Sequence, residues 1–475
     1  MDRARRKVML IQPPLEDFYT TPIRLYPLAL LYVARVFELF GWEVRILDCL
    51  SPLKKRKIPL PEKLAYLRPY LHHPYFFKHY YRFGLSKEEI IEAIKKFSPD
   101  LIGLNSAFAA YYRKLEEVAQ EIKKNFSGWL IVGGHQASCF PGEIKSRTPA
   151  IDEVITGQAE ISLPAFLKNN FPPIRPDRNF ANNFFQAEGI DRHKFFDLLE
   201  KNFIDWKTIW PAHELINPDF YKIGRKNYAT LQASRGCPFR CTFCNIQIVF
   251  GHQPDYRPVN SVIEEMRFLF RQRQVEIFNF EDDNLSLDRD WFEEFLKAVI
   301  GDEDLRGTEI LAMNGLNYET LDERILSLMK QAGFRKLDLP LVSGRPEIRK
   351  SLKRPEKKGS DFFWEIIRLA RRLGFAITVY LIIGLPGQTE EEIRETAQKL
   401  WEEGVVATPS IFYLAPGSEL YKTLAVPEEI RSDWDMYRST AFAIETENLS
   451  REKLINLFLY FREKNLARRW HAASG

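Results

Sequence analysis

Cysteine is scarce in this chain: five occur in 475 residues. That excludes a secreted disulfide scaffold and fits a reducing, cytoplasmic setting. No apolar run reaches the roughly 18 residues of a membrane-crossing helix, so no membrane span is expected. The start, Met1 to Lys7, is basic, but the apolar stretch behind it is too short for a signal peptide and meets Pro13-Pro14. An excess of one charge is missing as well. The net charge is +4, with Lys and Arg spread along the chain, so no nucleic-acid partner is expected. The G-x-G-x-x-G fingerprint of a dinucleotide site is absent, and so are internal repeats and low-complexity tracts.

What is present describes a large globular chain. Apolar residues make up 45% and charged residues 28%, and the length suggests about two or three domains. Thirty-six Phe and nineteen Tyr suit large cores and an aromatic-lined site, although the cores alone suffice to explain them. Residues 1–170 read as a first α/β domain. Strands are expected at 8–11, 43–47, 101–104, 130–132 and 154–156, with helices at 26–40 and 114–124 between them. That alternation implies a parallel, doubly wound Rossmann-like sheet, with ligands at the strands' carboxyl ends. Residues 51–97 interrupt it with a basic, aromatic insertion, read as a surface helical cap; a nucleic-acid patch is the alternative. Residues 171–226 read as a linker, partly helical near 195–203. From 227 to 420 strand–helix units repeat as a partial TIM-like (β/α)6 barrel, with function on loops at the strands' C-terminal ends. A helix at 262–271 is expected to be capped by Asn260 or Ser261. Residues 421–475 form a helical extension whose amphipathic stretch, 452–469, is expected to cover the barrel mouth.

Three of the five cysteines, Cys237, Cys241 and Cys244, share one loop at spacing C-x3-C-x2-C, directly after a strand-like run. Cys49 and Cys139 stand alone and read as free thiols. Three thiolates on one loop suit an iron–sulfur cluster with one iron left without a protein ligand. A disulfide would leave one cysteine over. A closed zinc site wants four ligands, and His252 could supply the fourth.

Cys237-Pro238-Phe239-Arg240-Cys241-Thr242-Phe243-Cys244 resembles the signature of the radical S-adenosylmethionine (SAM) superfamily. The resemblance implies a 4Fe–4S cluster on Cys237, Cys241 and Cys244, with SAM on the open iron and Phe243 near the adenine. Gly384-Leu385-Pro386-Gly387-Gln388-Thr389 is similar to the family's turn against SAM, with Thr389 as a helix cap, and Pro416 to Tyr421 to the end of its barrel. Further SAM contacts are implied from Glu281, Asp282, Ser343, Gly384 and Pro386, with Arg354 as a nearby charge. Val342 stands where the family commonly has a Glu that holds the SAM amino group, a task that would pass to Glu281 or Asp282.

The first domain resembles the cobalamin-binding Rossmann domain found N-terminal to many radical SAM enzymes. The likeness lies in the order Pro13-Pro14, Tyr26-Pro27-Leu28, Gly41 to Asp48, Gly133 to Ser138 and Gly157-Gln158-Ala159-Glu160. A generic nucleotide-binding domain is the alternative. The resemblance implies cobalamin contacts from Pro14, Tyr26, Pro27, Leu28, Ser106, Gly133, Gly134, His135, Gln136, Ala137, Gly157, Gln158 and Glu160. No D-x-H-x-x-G motif occurs. Asp191-Arg192-His193 begins one, but Phe196 stands at the Gly position, so cobalamin without a histidine lower ligand is expected.

Together these features resemble the class B cobalamin-dependent radical SAM methyltransferases. That implies a 5′-deoxyadenosyl radical taking hydrogen from an unactivated carbon and methylcobalamin delivering the methyl group. Rearrangement, cyclisation or coupling with the same cofactors is the alternative, and a corrinoid- or SAM-binding carrier or a zinc protein are readings from other classes. A peptide, protein or small-molecule substrate, an external one-electron reductant of flavodoxin or ferredoxin type, and a monomer are expected. No acid–base residue is assigned.

Overall fold

The computed structural model describes residues 5–19, 26–172, 201, 203–354 and 356–473, the side chains of 468–473 excepted. Two α/β units follow each other along the chain. The first holds β1 (Lys7–Gln12), β2 (Leu15–Asp17), β3 (Glu43–Asp48), β4 (Lys55–Ile58), β5 (Tyr80–Phe83), β6 (Leu101–Asn105), β7 (Trp129–Gly133) and β8 (Glu153–Ile155). A five-stranded parallel sheet runs in the order β3-β1-β6-β7-β8. Along β1, Val8 and Leu10 enter one core while Met9 and Ile11 enter the other. Both faces are covered, which is why the strand reads as an unbroken apolar run.

The 51–97 segment differs from the helical cap expected of it. Its Lys-rich run is β4, which pairs antiparallel with β5, and β5 pairs with β2. The helix Lys87–Phe97, opened by a Ser86/Glu89 capping box, is the crossover between β3 and β6. Phe76, Phe77 and Tyr80 are buried. Phe77 stacks on Phe18 at 4.9 Å and meets Phe458 of the C-terminal helix at 5.2 Å. An aromatic run of this kind needs cover, and residues far along the chain supply it.

The second unit holds β9 (Lys222–Ile223), β10 (Lys226–Leu231), β11 (Ser234–Arg235), β12 (Asp255–Tyr256), β13 (Val275–Phe280), β14 (Glu309–Leu311), β15 (Lys336–Leu341), β16 (Ala376–Ile383) and β17 (Val406–Ile411). Parallel arcs β10-β13-β14 and β15-β16-β17 meet through a parallel bridge between Ile310 and Phe334, which makes a six-stranded partial barrel. The helix after β12 spans Val259–Arg273 and starts at Pro258 rather than Asn260 or Ser261. The Ser261 hydroxyl is used elsewhere, accepting from Arg257 Nη2 (3.1 Å) and Trp210 Nε1 (3.2 Å).

Residues 203–221 pass between the units with short 3-10 turns at Trp206–Thr208, His213–Leu215 and Pro218–Phe220, and Ile204, Ile209 and Ala212 sit in the first unit's core. The helix expected near 195–203 falls outside the described residues except for Lys201, in a turn, and Phe203, which is irregular; both are exposed. The final helix, Arg451–Ala473, buries Leu454, Leu457 and Phe461. Asn465 Nδ2 donates to the Ala407 carbonyl of β17 at 2.7 Å, so this helix covers the barrel's last strand. Among the described residues, no helix is long and apolar enough to cross a membrane.

Candidate active site

The cysteine loop leaves β10 and is pinned from two directions. Asp282, just past β13, accepts from Ala233 N (3.1 Å), Ser234 N (2.5 Å) and Ser234 Oγ (2.5 Å). Asp283 accepts from Gly236 N at 3.1 Å. Gly236 has φ +86°, and a Cβ there would lie 2.6 Å from the Gln253 carbonyl, so only glycine fits. Across the loop, Thr242 N donates to Leu352 O (3.1 Å), Leu420 N to Thr242 O (2.8 Å), and Asn245 Nδ2 to Pro416 O (2.8 Å). The acidic strand end, expected to meet SAM, thus spends Asp282 and Asp283 on shaping the loop, while half-buried Glu281 accepts from Asn279 Nδ2 at 3.1 Å. Burial holds the Asp282 carboxyl up at about 7 and that of Asp283 at about 6.

The three thiols are half-buried and free. Burial pushes Cys241 up to about 11, and the Arg354 guanidinium pulls against it. Arg354 lies over the Phe239 ring at 3.7 Å. Among the described residues, no three His, Cys, Asp or Glu side chains converge as ligands of a single ion, and His252 is not drawn into a site with the cysteines. Three thiols on one loop, close enough to raise one another's pKa, have the donor chemistry of a cluster with one iron left open.

The first unit presents a cleft at the carboxyl ends of β1 and β6, where the strand order reverses. Gln12, Pro14, Asn105, Ser106 and Phe108 are among its lining residues. Beside it, Gly134 has φ +116°, and a Cβ would lie 2.7 Å from the Ser106 carbonyl. Ser106 Oγ donates to Gln136 Oε1 at 2.7 Å, and buried Gln136 Nε2 lacks a partner among the described residues. A tight glycine turn with an unspent amide donor is a fitting cradle for a flat, amide-rimmed cofactor. His135 and buried Ala137 follow in the short helix His135–Cys139. Burial lowers the His135 pKa, a hydrogen bond with Asn245 opposes this, and Asn245 Nδ2 also lies 3.6 Å from Cys139 Sγ. This turn therefore touches the residue next to Cys244.

Residues 20–167 match the family model of the B12 binding domain, and residues 231–400 that of the radical SAM superfamily. The chain belongs to the cobalamin-binding radical SAM enzymes. The two models name cobalamin and SAM as its cofactors, and the similarly folded TsrM of Kitasatospora setae, 17% identical, is solved with cobalamin and a 4Fe–4S cluster bound. It is 26% identical over 478 residues to cytidylyl-2-hydroxyethylphosphonate methyltransferase of Streptomyces wedmorensis, covering 92% of this chain and 85% of that one. It is 24% identical over 388 residues to the anaerobic magnesium-protoporphyrin IX monomethyl ester cyclase of Cereibacter sphaeroides, covering 78% and 60%. In fold it is similar to the radical SAM methyltransferase TsrM of Kitasatospora setae solved with tryptophan and a SAM analogue. There the TM-score is 0.64 and the identity 16%, over 96% of this chain and 89% of that one.

Other positions of this radical SAM enzyme carry tasks that the sequence does not show. Gly384 N and Leu385 N both donate to Gln388 Oε1 at 2.9 Å, while Gln388 Nε2 donates to the carbonyls of Val342 (3.2 Å) and Ile382 (3.0 Å). Buried Gln388 thus ties the glycine–proline turn, with half-buried Pro386, to the strand end where a Glu was missed. The carboxylate in that corner is Glu392, which accepts from Ser343 Oγ (2.6 Å) and Gly344 N (3.1 Å). Ser343 is fully buried and its hydroxyl is spent there. Phe243 is half-buried against the main core.

In the B12 domain, Tyr26 Oη lies 2.6 Å from His213 Nδ1, and His213 Nε2 lies 2.8 Å from Glu265 Oε1 in the barrel. Pro27 is buried at the start of the helix Leu28–Leu39, and Leu28 packs into the core. Gly157 N is held by Ser138 Oγ at 2.9 Å. Gln158 and Glu160, expected at the corrin, reach the cluster loop and accept from Arg235. Their motif announced a turn; the partner lies 75 or more residues away and gives no local signal.

Proposed function

We propose that this enzyme methylates an unactivated carbon of a peptide or small molecule. When bound, the cluster and SAM supply a carbon-centred radical and cobalamin supplies the methyl group. What supports the reading is one contact: the Gly133–Cys139 turn of the B12 domain meets Asn245, next to Cys244, so the two cofactor cradles share one interface. In this reading Cys237, Cys241 and Cys244 hold the cluster. Gly384, Pro386 and Phe243 border SAM. Pro14, Ser106, Gly133, Gly134 and Gln136 border the corrin. Arg354 offsets the thiolate charge beside the cluster. The C-terminal helix, whose Leu454 lies 3.3 Å from where a Gly384 Cβ would stand, excludes water from the mouth. An external one-electron reductant completes the system.

Cyclisation with the same cofactors is the second reading, favoured by the likeness to the protoporphyrin ester cyclase. Anaerobic reconstitution with iron, sulfide and hydroxocobalamin, then SAM and a strong reductant, tests the proposal. Cluster and corrin absorbance with both 5′-deoxyadenosine and S-adenosylhomocysteine is expected. Deoxyadenosine without S-adenosylhomocysteine, with true substrate present, would leave the cyclase reading. Absence of either bound cofactor would end both.

A further inference from the structure

We infer that Arg235 and Glu160 are positioning residues: their buried ion pair sets the register of the B12 domain on the cluster loop. With it they set the gap that the methyl group crosses. The inference rests on the methyl-transfer reading above.

Arg235 lies two residues before Cys237, and its backbone is fixed on both sides. Asp282 holds Ser234, Asp283 holds Gly236 N, and Arg235 itself pairs with Asp255 in the β11–β12 ribbon. Its side chain is 5% exposed and every guanidinium nitrogen is engaged. Nε donates to Gln232 Oε1 (2.9 Å), Nη1 to Gln158 Oε1 (2.8 Å) and Nη2 to Glu160 Oε1 (2.8 Å). Trp206 from the connecting segment and Tyr32 from the B12 domain flank it, 4.3 and 4.9 Å from their ring centres. Gln158 and Glu160 follow Gly157, which Ser138 holds, and Ser138 N donates its helical bond to the Gly134 carbonyl at 3.0 Å. An unbroken set of bonds thus runs from the residue beside Gly236 to the glycine turn of the corrin cradle.

A buried ion pair is a poor source of net stability, because desolvation consumes most of the attraction. What a guanidinium fork adds is geometry, two acceptors fixed in one plane, which a Lys cannot reproduce. Glu160 is 3% exposed and its Oε1 accepts from Arg235 Nη2, so it acts through Arg235 and not on a cofactor. The geometry matters because a misplacement on the order of 1 Å between reacting groups costs about a hundredfold in rate.

The test uses the holoenzyme loaded with iron, sulfide and hydroxocobalamin, as wild type, Glu160→Gln, Glu160→Ala and Arg235→Lys. Pulsed electron paramagnetic resonance reads the coupling between Co(II) and the reduced cluster, and chromatography reads the two SAM products. A single narrow coupling is expected for wild type and for Glu160→Gln, which keeps the acceptor atom, and a broadened one for Glu160→Ala and Arg235→Lys. In those two, S-adenosylhomocysteine should fall at least about tenfold while deoxyadenosine changes less than about threefold. A narrow coupling in Glu160→Ala and Arg235→Lys would overturn the inference, as would parallel loss of both products. Should wild type form no S-adenosylhomocysteine, the methyl-transfer reading fails while the couplings still decide the clamp. Should a variant not load, hydrogen exchange of the apo-protein decides: loosening confined to 157–160 and the Tyr32 helix supports the inference, and loosening throughout the chain refutes it.

Discussion

Glu265 offers a sharp stability experiment, because both of its oxygens are spent and none of it reaches solvent. Oε1 meets His213 Nε2 at 2.8 Å, and Oε2 takes an ion pair from Arg257. Both charged side chains are 0% exposed. Glu265→Ala would strand the Arg257 guanidinium, whose remaining partners are the Gln232 carbonyl and Ser261. Breaking one side of a buried pair costs about 3–5 kcal/mol. At roughly 2–4 °C per kcal/mol for a unit of this size, the midpoint should drop on the order of 10 °C. The pH dependence has a definite sign. Burial alone would raise the Glu265 pKa, but Arg257 and His213 outweigh it, and the folded value lies below the usual one. The stability this group contributes is therefore present above the unfolded carboxyl pKa of about 4.3 and is lost as pH falls through the folded value. Thermal unfolding of the apo-protein by circular dichroism, at neutral and acid pH, measures both effects. An Arg257→Met, Glu265→Leu double variant should be less damaged than Glu265→Ala, since no charge is left behind. A Glu265→Ala midpoint within about 2 °C of wild type would refute the reasoning.

Three further outcomes follow from the site. Gly134→Ala forces a Cβ to 2.7 Å from the Ser106 carbonyl at φ +116°, so corrin affinity should fall about tenfold, ~1.4 kcal/mol, with cluster iron unchanged; an unaltered corrin titration would contradict the cradle. Gln388→Leu leaves Gly384 N, Leu385 N and two carbonyls without their partner, and about 1–3 kcal/mol for each buried group predicts at least a tenfold weaker SAM dissociation constant. Equilibrium dialysis with SAM checks this, and unchanged affinity would sink it. Asp282 is raised to about 7, chiefly by burial, so the native state keeps a proton that the unfolded chain releases between about pH 4 and 7. Its contribution to stability therefore declines as pH rises across that window, and Asp282→Asn should flatten the apo-protein's midpoint-against-pH curve there. Coincident curves would show that another group controls the slope.

The sequence by itself determined the elements and the chemistry they carry. The apolar runs along 8–11 and 377–383 are set by burial on both faces of a sheet, which any local window shows. The cysteine spacing and the Gly384 to Thr389 turn are legible for the same reason, since thiolate chemistry and positive-φ glycines need particular residues at particular steps. Tertiary structure decided what those residues face. Glu160 reads as a cofactor contact until Arg235 takes its carboxylate, and Asp282 reads as a SAM ligand until Ser234 does. Val342 marks a missing carboxylate, yet Glu392, 48 positions beyond Gly344, stands in that corner. The aromatic run at 75–81 reads as surface until Phe442 and Phe458 close over it. In each case the partner is distant in sequence, and desolvation together with hydrogen-bond saturation, fixed only when the two domains dock, decides whether a polar side chain serves the cofactor or the fold.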